Sequence, residues 1–483
     1  MKRRTVLRAA GIAAGWTIVP RAVLGGPGQT PPSDRVTLAC VGVGAQGLRV
    51  MMDFIKYDDT QVVAVCDVNK GSDDFNEWGQ FELRNKVRAL IGSPTWGESA
   101  TYRGAMAGRE PAQQIVDAYY GTKTRSGDSR GCVAAEDYRQ MLSKSDGIDA
   151  VIIGTPDHVH AAVAVAAMRA GKHVYCQKPM SHSIAEAHRM AEVSRQTRVA
   201  TQVAIGNQAS EATRQLCEWV WSGAVGAVRE VINWSDRPYW PQGVPRPDAS
   251  EEAPPHLNWN LWLGPAPTRP YHHTYQPFVW RGWYDFGAGA IGDMGCYSFD
   301  TIFRVLKLDA PTAIEAASTE RMPESYPKAQ LIYFDFPARG DMPPVRVTWY
   351  DGGLRPPRPV AQDEPLTPDG LMFVGEKGTI LCGFNGARPR LIPASRMSAF
   401  TPPPPTLPRS PGNEREWLIA CKGGPAGGAD FPFTARVTET VLLGTIAART
   451  GERLLWDGQA QTVTNVKSAN QYLSREYRAG WEI

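Results

Sequence analysis

The sequence runs to 483 residues, with 52 Lys and Arg against 49 Asp and Glu and a formal net charge of +3. So small an excess raises no general field, which excludes a nucleic-acid or other polyanion partner drawn by charge alone. With 42% hydrophobic and 21% charged residues, the composition is that of a globular protein large enough for two domains. The eight cysteines are scattered, without a CxxC pair or zinc-ligand spacing. Cys40, Cys66 and Cys176 sit inside apolar runs, so neither a disulfide framework nor a metal site is expected.

Residues 1–33 read as a signal and linker. Lys2-Arg3-Arg4 precedes an apolar run from Ala9 to Val19, shorter than the roughly 20 residues a membrane-spanning helix needs. A basic start before such a run is the pattern of a secretory signal, and the paired arginines point to the twin-arginine export machinery. The plain alternative is a basic N-terminal helix. No other segment reads as a span. The expectation is therefore an exported, periplasmic or otherwise extracytoplasmic protein without stable membrane insertion, cleaved near Ala22–Gly26.

Residues 34–206 read as an α/β Rossmann domain built on a parallel sheet. The strand-like run Val36–Val41 passes into Gly42-Val43-Gly44-Ala45-Gln46-Gly47 and then into an apolar-periodic helix. Strand, GxGxxG and helix in that order are the context of a dinucleotide-binding turn. Gly42 suits the tight turn, Gly44 the approach of a pyrophosphate and Gly47 close helix–strand packing. The run Gln61–Cys66 ends at Asp67, twenty residues beyond Gly47. An acid there can hold both ribose hydroxyls and repel a 2′-phosphate, which favours NAD while leaving NADP possible, with Lys70 close by. Residues 71–147 carry no clear motif. The sheet resumes at Ile148–Gly154, followed by Thr155-Pro156-Asp157-His158-Val159-His160, and again at His173–Cys176, followed by Gln177-Lys178-Pro179. Ligands of such sheets bind beyond the carboxyl ends of the strands, where Gly42, Asp67, Thr155 and Lys178 all fall.

Residues 207–483, opening at Asn207, read as an α+β domain with a large, mainly antiparallel sheet, interrupted by proline-rich loops. The densest block runs from Tyr271 to Asp300. In it Asp293, Tyr297 and Asp300 fall at i, i+4 and i+7, one face of a helix. A carboxylate beside a phenol suits proton handling during alcohol oxidation; a capping Asp293 and a packed Tyr297 are the other reading. Trp280, Trp283 and Tyr284 are candidates for stacking on a sugar, and His272 and His273 are spare candidates for a base.

GxGxxG, a strand-end Asp67, the Thr155–His160 segment and the Lys178-Pro179 dipeptide together resemble the Gfo/Idh/MocA (glucose–fructose oxidoreductase/inositol dehydrogenase) family. So do Trp234–Gly243, Leu261–Pro265, Thr438–Thr440 and Tyr477–Trp481, which look like its exported branch. The resemblance implies that Lys178 contacts both the nicotinamide region and the substrate. It places His158 and His160 against the nicotinamide ribose, and Gln177, where the family usually has Glu, beside the cofactor. It further implies that Asp293 and Tyr297 take part in substrate binding and proton transfer. Tyr297 stands where most exported relatives have His, and it is assigned as the acid/base, assisted by Lys178. Asn207, Trp280, Trp283, Tyr284 and Asp293 complete the substrate side. A homo-oligomer is the family expectation.

Outside the cytoplasm free NAD is scarce, so the cofactor of an exported member would travel bound and be regenerated in place. The reading is an NAD(P)-dependent oxidoreductase acting on a sugar or polyol. A redox-neutral NAD-dependent glycosidase and a non-catalytic sugar-binding protein on the same fold are the alternatives.

Overall fold

The computed structural model describes residues 34–98, 102–121, 131–144, 146–359 and 365–483. The twin-arginine segment lies outside the described residues.

The first eight strands are β1 Val36–Val41, β2 Thr60–Cys66, β3 Ser72–Phe75, β4 Ala105–Ala107, β5 Val133–Ala135, β6 Ala150–Ile153, β7 His173–Cys176 and β8 Thr201–Val203. Six of them form one sheet in the order β5-β2-β1-β6-β7-β8, with every pairing parallel. The cause is visible in β1 and β6: VTLACV and AVII are apolar on both faces and almost wholly buried, as a sheet covered by helices on both sides demands. Helices α1 (Ala45–Phe54), α2 (His160–Arg169) and α3 (Ile184–Thr197) supply part of that cover. Ser183 and Glu186 form a reciprocal capping box at the start of α3, which contributes about 1 kcal/mol. The strand order reverses between β1 and β6, and chains leaving those two strands in opposite directions open a crevice. β3 and β4 pair separately in the insertion after β2.

Among the described residues the second sheet has nine strands: β9 Val228–Trp234, β10 Ala313–Ser318, β11 Gln330–Phe336, β12 Val345–Tyr350, β13 Gly370–Gly375, β14 Gly378–Cys382, β15 Arg390–Ile392, β16 Leu454–Asp457 and β17 Thr462–Val463. Their order is β15-β14-β13-β9-β12-β11-β10-β16-β17. Only the β9–β12 pair is parallel among them. In β11 burial alternates residue by residue, so Ile332, Phe334 and Phe336 face the core. Helices α4 (Cys296–Leu306) and α5 (Phe431–Thr450) cover that face. Phe299 of α4 meets Phe334 edge-on at 5.2 Å, and Phe303 meets Phe336 at 5.9 Å. Helix α5 starts at an Asp430 cap and stops at Gly451, whose φ is +70°. Gly444 lets Phe334 press against it, since a Cβ there would lie 2.7 Å from the ring. Truncating Phe334 to Ala would cost roughly 3–5 kcal/mol.

The chain returns to the first domain after the second sheet. Trp417, in the helix Asn413–Cys421, packs on Phe54 at 5.3 Å and on Tyr175 at 5.4 Å. Trp481 joins the core on one face of the parallel sheet, a cluster that draws on β1, β2, β6, β7 and β8 and on Tyr138 after β5.

Candidate active site

Gly42 ends β1 with φ at +79°, and a Cβ there would lie 2.4 Å from Thr155 N. At Gly47 a Cβ would lie 1.9 Å from the Gly42 oxygen, so helix and turn meet with no room for a side chain. Gly44 is the N-cap of α1, and no side chain caps the helix. Its first N–H groups and positive dipole end are therefore left for an anion. The Phe75 ring lies over Gly44, 2.9 Å from where a Cβ would be. Asp67 accepts from Val43 N at 2.7 Å and from Asn69 N at 2.8 Å. Burial raises its carboxyl to about 6 against the pull of those bonds and of Arg109, leaving it ionised at neutrality. Thr155 Oγ1 is buried without a hydrogen-bond partner. A glycine cradle, an uncapped helix start, an ionised strand-end acid and an orphaned hydroxyl fit a dinucleotide, with pyrophosphate at α1 and ribose at Asp67.

These groups face one crevice of ≈ 450 Å³, within the range of small-molecule sites. Gly42, Gly44, Ala45, Gln46 and Asp67 line it, as do Thr155, Pro156, Gln177 and Lys178. Gly47, His158 and His160 do not. His158 sits between Trp262 O at 2.9 Å and Phe286 O at 3.2 Å, and His160 between Pro179 O at 2.8 Å and Thr155 O at 2.9 Å. Burial pushes their protonation down to about 3 and about 4. Both imidazoles are neutral braces behind the crevice wall, where the helical start Asp157–Val159 and α2 turn them inward.

The polar floor joins the two domains. Lys178 Nζ, just beyond β7, donates to Asp293 Oδ1 and to the Asp293 carbonyl, each at 2.8 Å. Arg281 Nε donates to the same Oδ1 at 3.1 Å. Burial by itself would raise the Asp293 carboxyl, but Lys178 and Arg281 outweigh it and hold it down at about 2. Burial also opposes the Lys178 charge, yet Asp293 and Tyr297 outweigh that and keep the amine well above its ordinary value. Lys178 is thus a fixed ammonium, a donor rather than a proton acceptor. Its Nζ stands 4.9 Å from the Tyr297 ring centroid, over the face of the phenol.

Asp293 belongs to a π-helical turn, Ile291–Gly295, that runs into α4. Such turns recur at functional sites because they re-aim a side chain. Asp293 and Tyr297 line the crevice. Asp300 does not: fully buried, it holds Arg304 at 2.8 and 3.0 Å. The expected three-residue face is therefore reduced to two, Asp293 and Tyr297, with Asp300 turned to Arg304. Asn207 is also placed behind the wall, where its amide holds the Tyr297 carbonyl and Thr301 Oγ1. Of the aromatic candidates, Trp280 lines the crevice. Trp283 is 2% exposed, donates to Thr274 O at 2.8 Å and packs on Tyr275. Tyr284 is buried between Tyr326 and Arg449. The 3₁₀ turn Val279–Gly282 delivers Trp280 and Arg281 to the crevice and sends the next two rings into the core. His272 and His273 gather on Glu251 and do not line the crevice, so they offer no base to it.

Several lining groups escaped the sequence reading. Asp157, immediately before His158, is buried at the crevice wall and faces Arg281, Asp293 and Lys178; burial pushes its carboxyl up to about 8. Arg281, inside Trp280-Arg281-Gly282-Trp283, carries its guanidinium over Trp280 at 4.2 Å and Phe278 at 4.6 Å. Trp78, Tyr239, Trp240 and the near-terminal Trp481 complete the walls. Tyr239 and Trp240 lay in the quoted Trp234–Gly243 segment and Trp481 in Tyr477–Trp481, though none was singled out for the crevice; Trp78 carries no local signal.

A parallel sheet with an uncapped glycine turn, joined to a second domain whose loops and π-helical turn line the crevice, is the architecture of a two-domain dinucleotide-binding protein. Residues 89–205 match the model of the Gfo/Idh/MocA oxidoreductase family's NAD-binding Rossmann fold, and residues 225–337 match that of its C-terminal alpha/beta domain. The chain belongs to the Gfo/Idh/MocA oxidoreductase family. It is 29% identical over 180 residues to a glycosyl hydrolase family 109 protein of Stenotrophomonas maltophilia, covering 37% of this chain and 29% of that one. It is 41% identical over 54 residues to levoglucosan dehydrogenase of Pseudarthrobacter phenanthrenivorans, 11% of this chain and 14% of that one. The matched stretches thus span under a third of these relatives. In fold it is similar to the WlbA dehydrogenase of Bordetella pertussis, solved with NADH and UDP-GlcNAcA, at TM-score 0.55 and 15% identity over 88% of this chain and 99% of that one.

Proposed function

We propose that the protein is an exported, NAD-dependent oxidoreductase that oxidises a CH–OH group of a sugar or polyol and keeps its cofactor bound. The observation that carries this reading is the Lys178–Asp293 pair over Tyr297, set in the same crevice as the glycine turn and Asp67. Bound there, the nicotinamide supplies a hydride acceptor. Lys178 donates to the reacting oxygen and favours its anionic form. Tyr297, reacting as its phenolate, receives the hydroxyl proton and becomes the neutral phenol, and Asp293 fixes the ammonium and orients the sugar. Asp67 favours NAD by repelling a 2′-phosphate, and Lys70 is drawn to Glu110 at 3.6 Å rather than offered to one. The names of a levoglucosan dehydrogenase and of a dehydrogenase solved with UDP-GlcNAcA support a carbohydrate substrate. The paired arginines at the N-terminus support export of the folded, loaded protein.

The test is absorbance and mass spectrometry on protein purified without added nucleotide, followed by a panel of sugars read by nicotinamide absorbance. Retained NAD(H) and reduction by a sugar are expected. Protein that arrives empty and binds neither NAD nor NADP in titration overturns the reading. A redox-neutral glycosidase is the second reading, favoured by the glycosyl hydrolase family 109 similarity. Release of an aglycone without net NADH would select it.

A further inference from the structure

Among the described residues, Trp78 and Tyr239 combine two properties: they are 65% and 60% exposed, and both line the crevice. A scattered exposed aromatic ring is ordinary, but exposed rings gathered around a binding cleft mark a contact surface. They come from different parts of the chain, Trp78 from the segment after β3 and Tyr239 from the proline-rich loop after β9.

The rim they form is braced. Trp78 meets Phe278 edge-on at 6.1 Å, and Trp240 meets the same ring edge-on at 5.9 Å. The Tyr239 ring lies under the Arg237 guanidinium at 4.2 Å, and its hydroxyl donates to Asp236 at 3.0 Å. Arg237 is anchored in turn on Asp369 at 3.1 Å. Inside this rim comes a layer made by Phe278 and Arg281, and only then the Asp293 carboxylate that Arg281 touches. The aromatic rim is therefore one layer out from the reacting centre. Asn76 and Arg237 line the crevice beside it and offer donors and an acceptor.

We propose that this rim is a second sugar-ring subsite, so that the substrate is a disaccharide or longer glycoside with its oxidised ring on Lys178, Asp293 and Tyr297. The neighbouring ring lays its apolar C–H face on Trp78 and Tyr239, while its hydroxyls meet Asn76 and Arg237. The inference rests on the sugar-oxidising reading above and extends it from the reacting ring to the ring beyond.

The experiment compares kcat/KM for a disaccharide and for the methyl glycoside of its reacting sugar, in the parent, Trp78→Ala and Tyr239→Ala proteins. NAD(H) affinity is measured alongside. The parent is expected to favour the disaccharide at least about tenfold. Each variant is expected to lose about tenfold on the disaccharide through KM, with the methyl glycoside and NAD(H) unchanged. Equal loss on both sugars, no preference in the parent, or weakened NAD(H) binding overturns the subsite. If no sugar is oxidised, the functional reading fails and the subsite is judged from equilibrium titration of tryptophan fluorescence. Quenching by the disaccharide that Trp78→Ala abolishes supports it, and absence of binding refutes it.

Discussion

Lys178 Nζ stands 2.8 Å from both the Oδ1 and the main-chain oxygen of Asp293, so one ammonium clamps the end of β7 to the π-helical turn of the other domain. Both side chains are largely withdrawn from water, at 11% and 14% exposure. In such surroundings each charge depends on the other, and the pair is both a joint between domains and the polar floor of the crevice.

Asp293→Asn removes the anion that Lys178 and Arg281 share. Breaking one side of a buried pair costs roughly 3–5 kcal/mol, and loss of the positioned group should lower kcat by about a hundredfold or more. The parent's carboxyl is held near 2, below its unfolded value of about 4. Its stabilisation is therefore present above pH 4 and lost as pH falls toward 2. Melting temperatures measured through that range should show the acid loss in the parent and a shallower one in Asp293→Asn. Identical slopes would disprove the linkage.

Tyr297→Phe keeps the ring face under Lys178 and deletes only the hydroxyl. If that hydroxyl carries the substrate's proton, turnover should fall by about a hundredfold or more while bound NAD(H) and melting temperature stay close to the parent. Full turnover in the variant would remove Tyr297 from the chemistry and direct attention to Asp157.

The cofactor half of the crevice was readable in the sequence because its parts are local. Gly42, Gly44 and Gly47 are neighbours in the chain, and Asp67 closes the very next strand. The substrate half was only partly so. Asp293 and Tyr297 stood out by helical spacing, yet Asp300, one turn further along α4, is buried against Arg304 instead of facing the crevice. Trp283 and Tyr284 read like Trp280 in sequence, and only the 3₁₀ turn separates a wall residue from two core residues. The two histidines drew the eye from Asp157, whose raised carboxyl depends on burial against Arg281, Asp293 and Lys178 from two domains. Trp78 and Tyr239 reach the rim from different domains, and their meeting there is a property of the fold alone.

Trp481 reaches the crevice from the last turn of the chain, with Arg139 over its ring at 4.2 Å and Tyr138 at 6.2 Å. Those partners follow β5, on the same side of the parallel sheet as Asp67 and β2, where the adenosine end of a dinucleotide lies. Trp481→Ala should therefore weaken NAD(H) binding about tenfold, or ~1.4 kcal/mol, with little change in KM for the sugar. Calorimetric titration of the stripped protein measures it. An unchanged Kd would make Trp481 a packing residue only.

Asp157 works in the opposite sense to Asp293. Burial raises its carboxyl to about 8, although Arg281 and Lys178 pull it down; Asp293 adds to the rise and the Ala288 N–H opposes it. The folded chain therefore keeps a proton there across a window, from about pH 4 to about pH 8, in which the unfolded chain has lost it. Stability must fall as pH rises through that window, by roughly 1.4 kcal/mol for each unit from this group alone. Asp157→Asn should remove the slope: its melting temperature should match the parent near pH 4 and exceed it at pH 8. The same proton lies beside the Lys178–Asp293 floor, so the parent's pH–rate profile should bend near 8 and the variant's should not. A melting difference without a change in the rate profile would leave Asp157 a strained structural acid. A change in both would make it a group that holds or yields a proton during turnover.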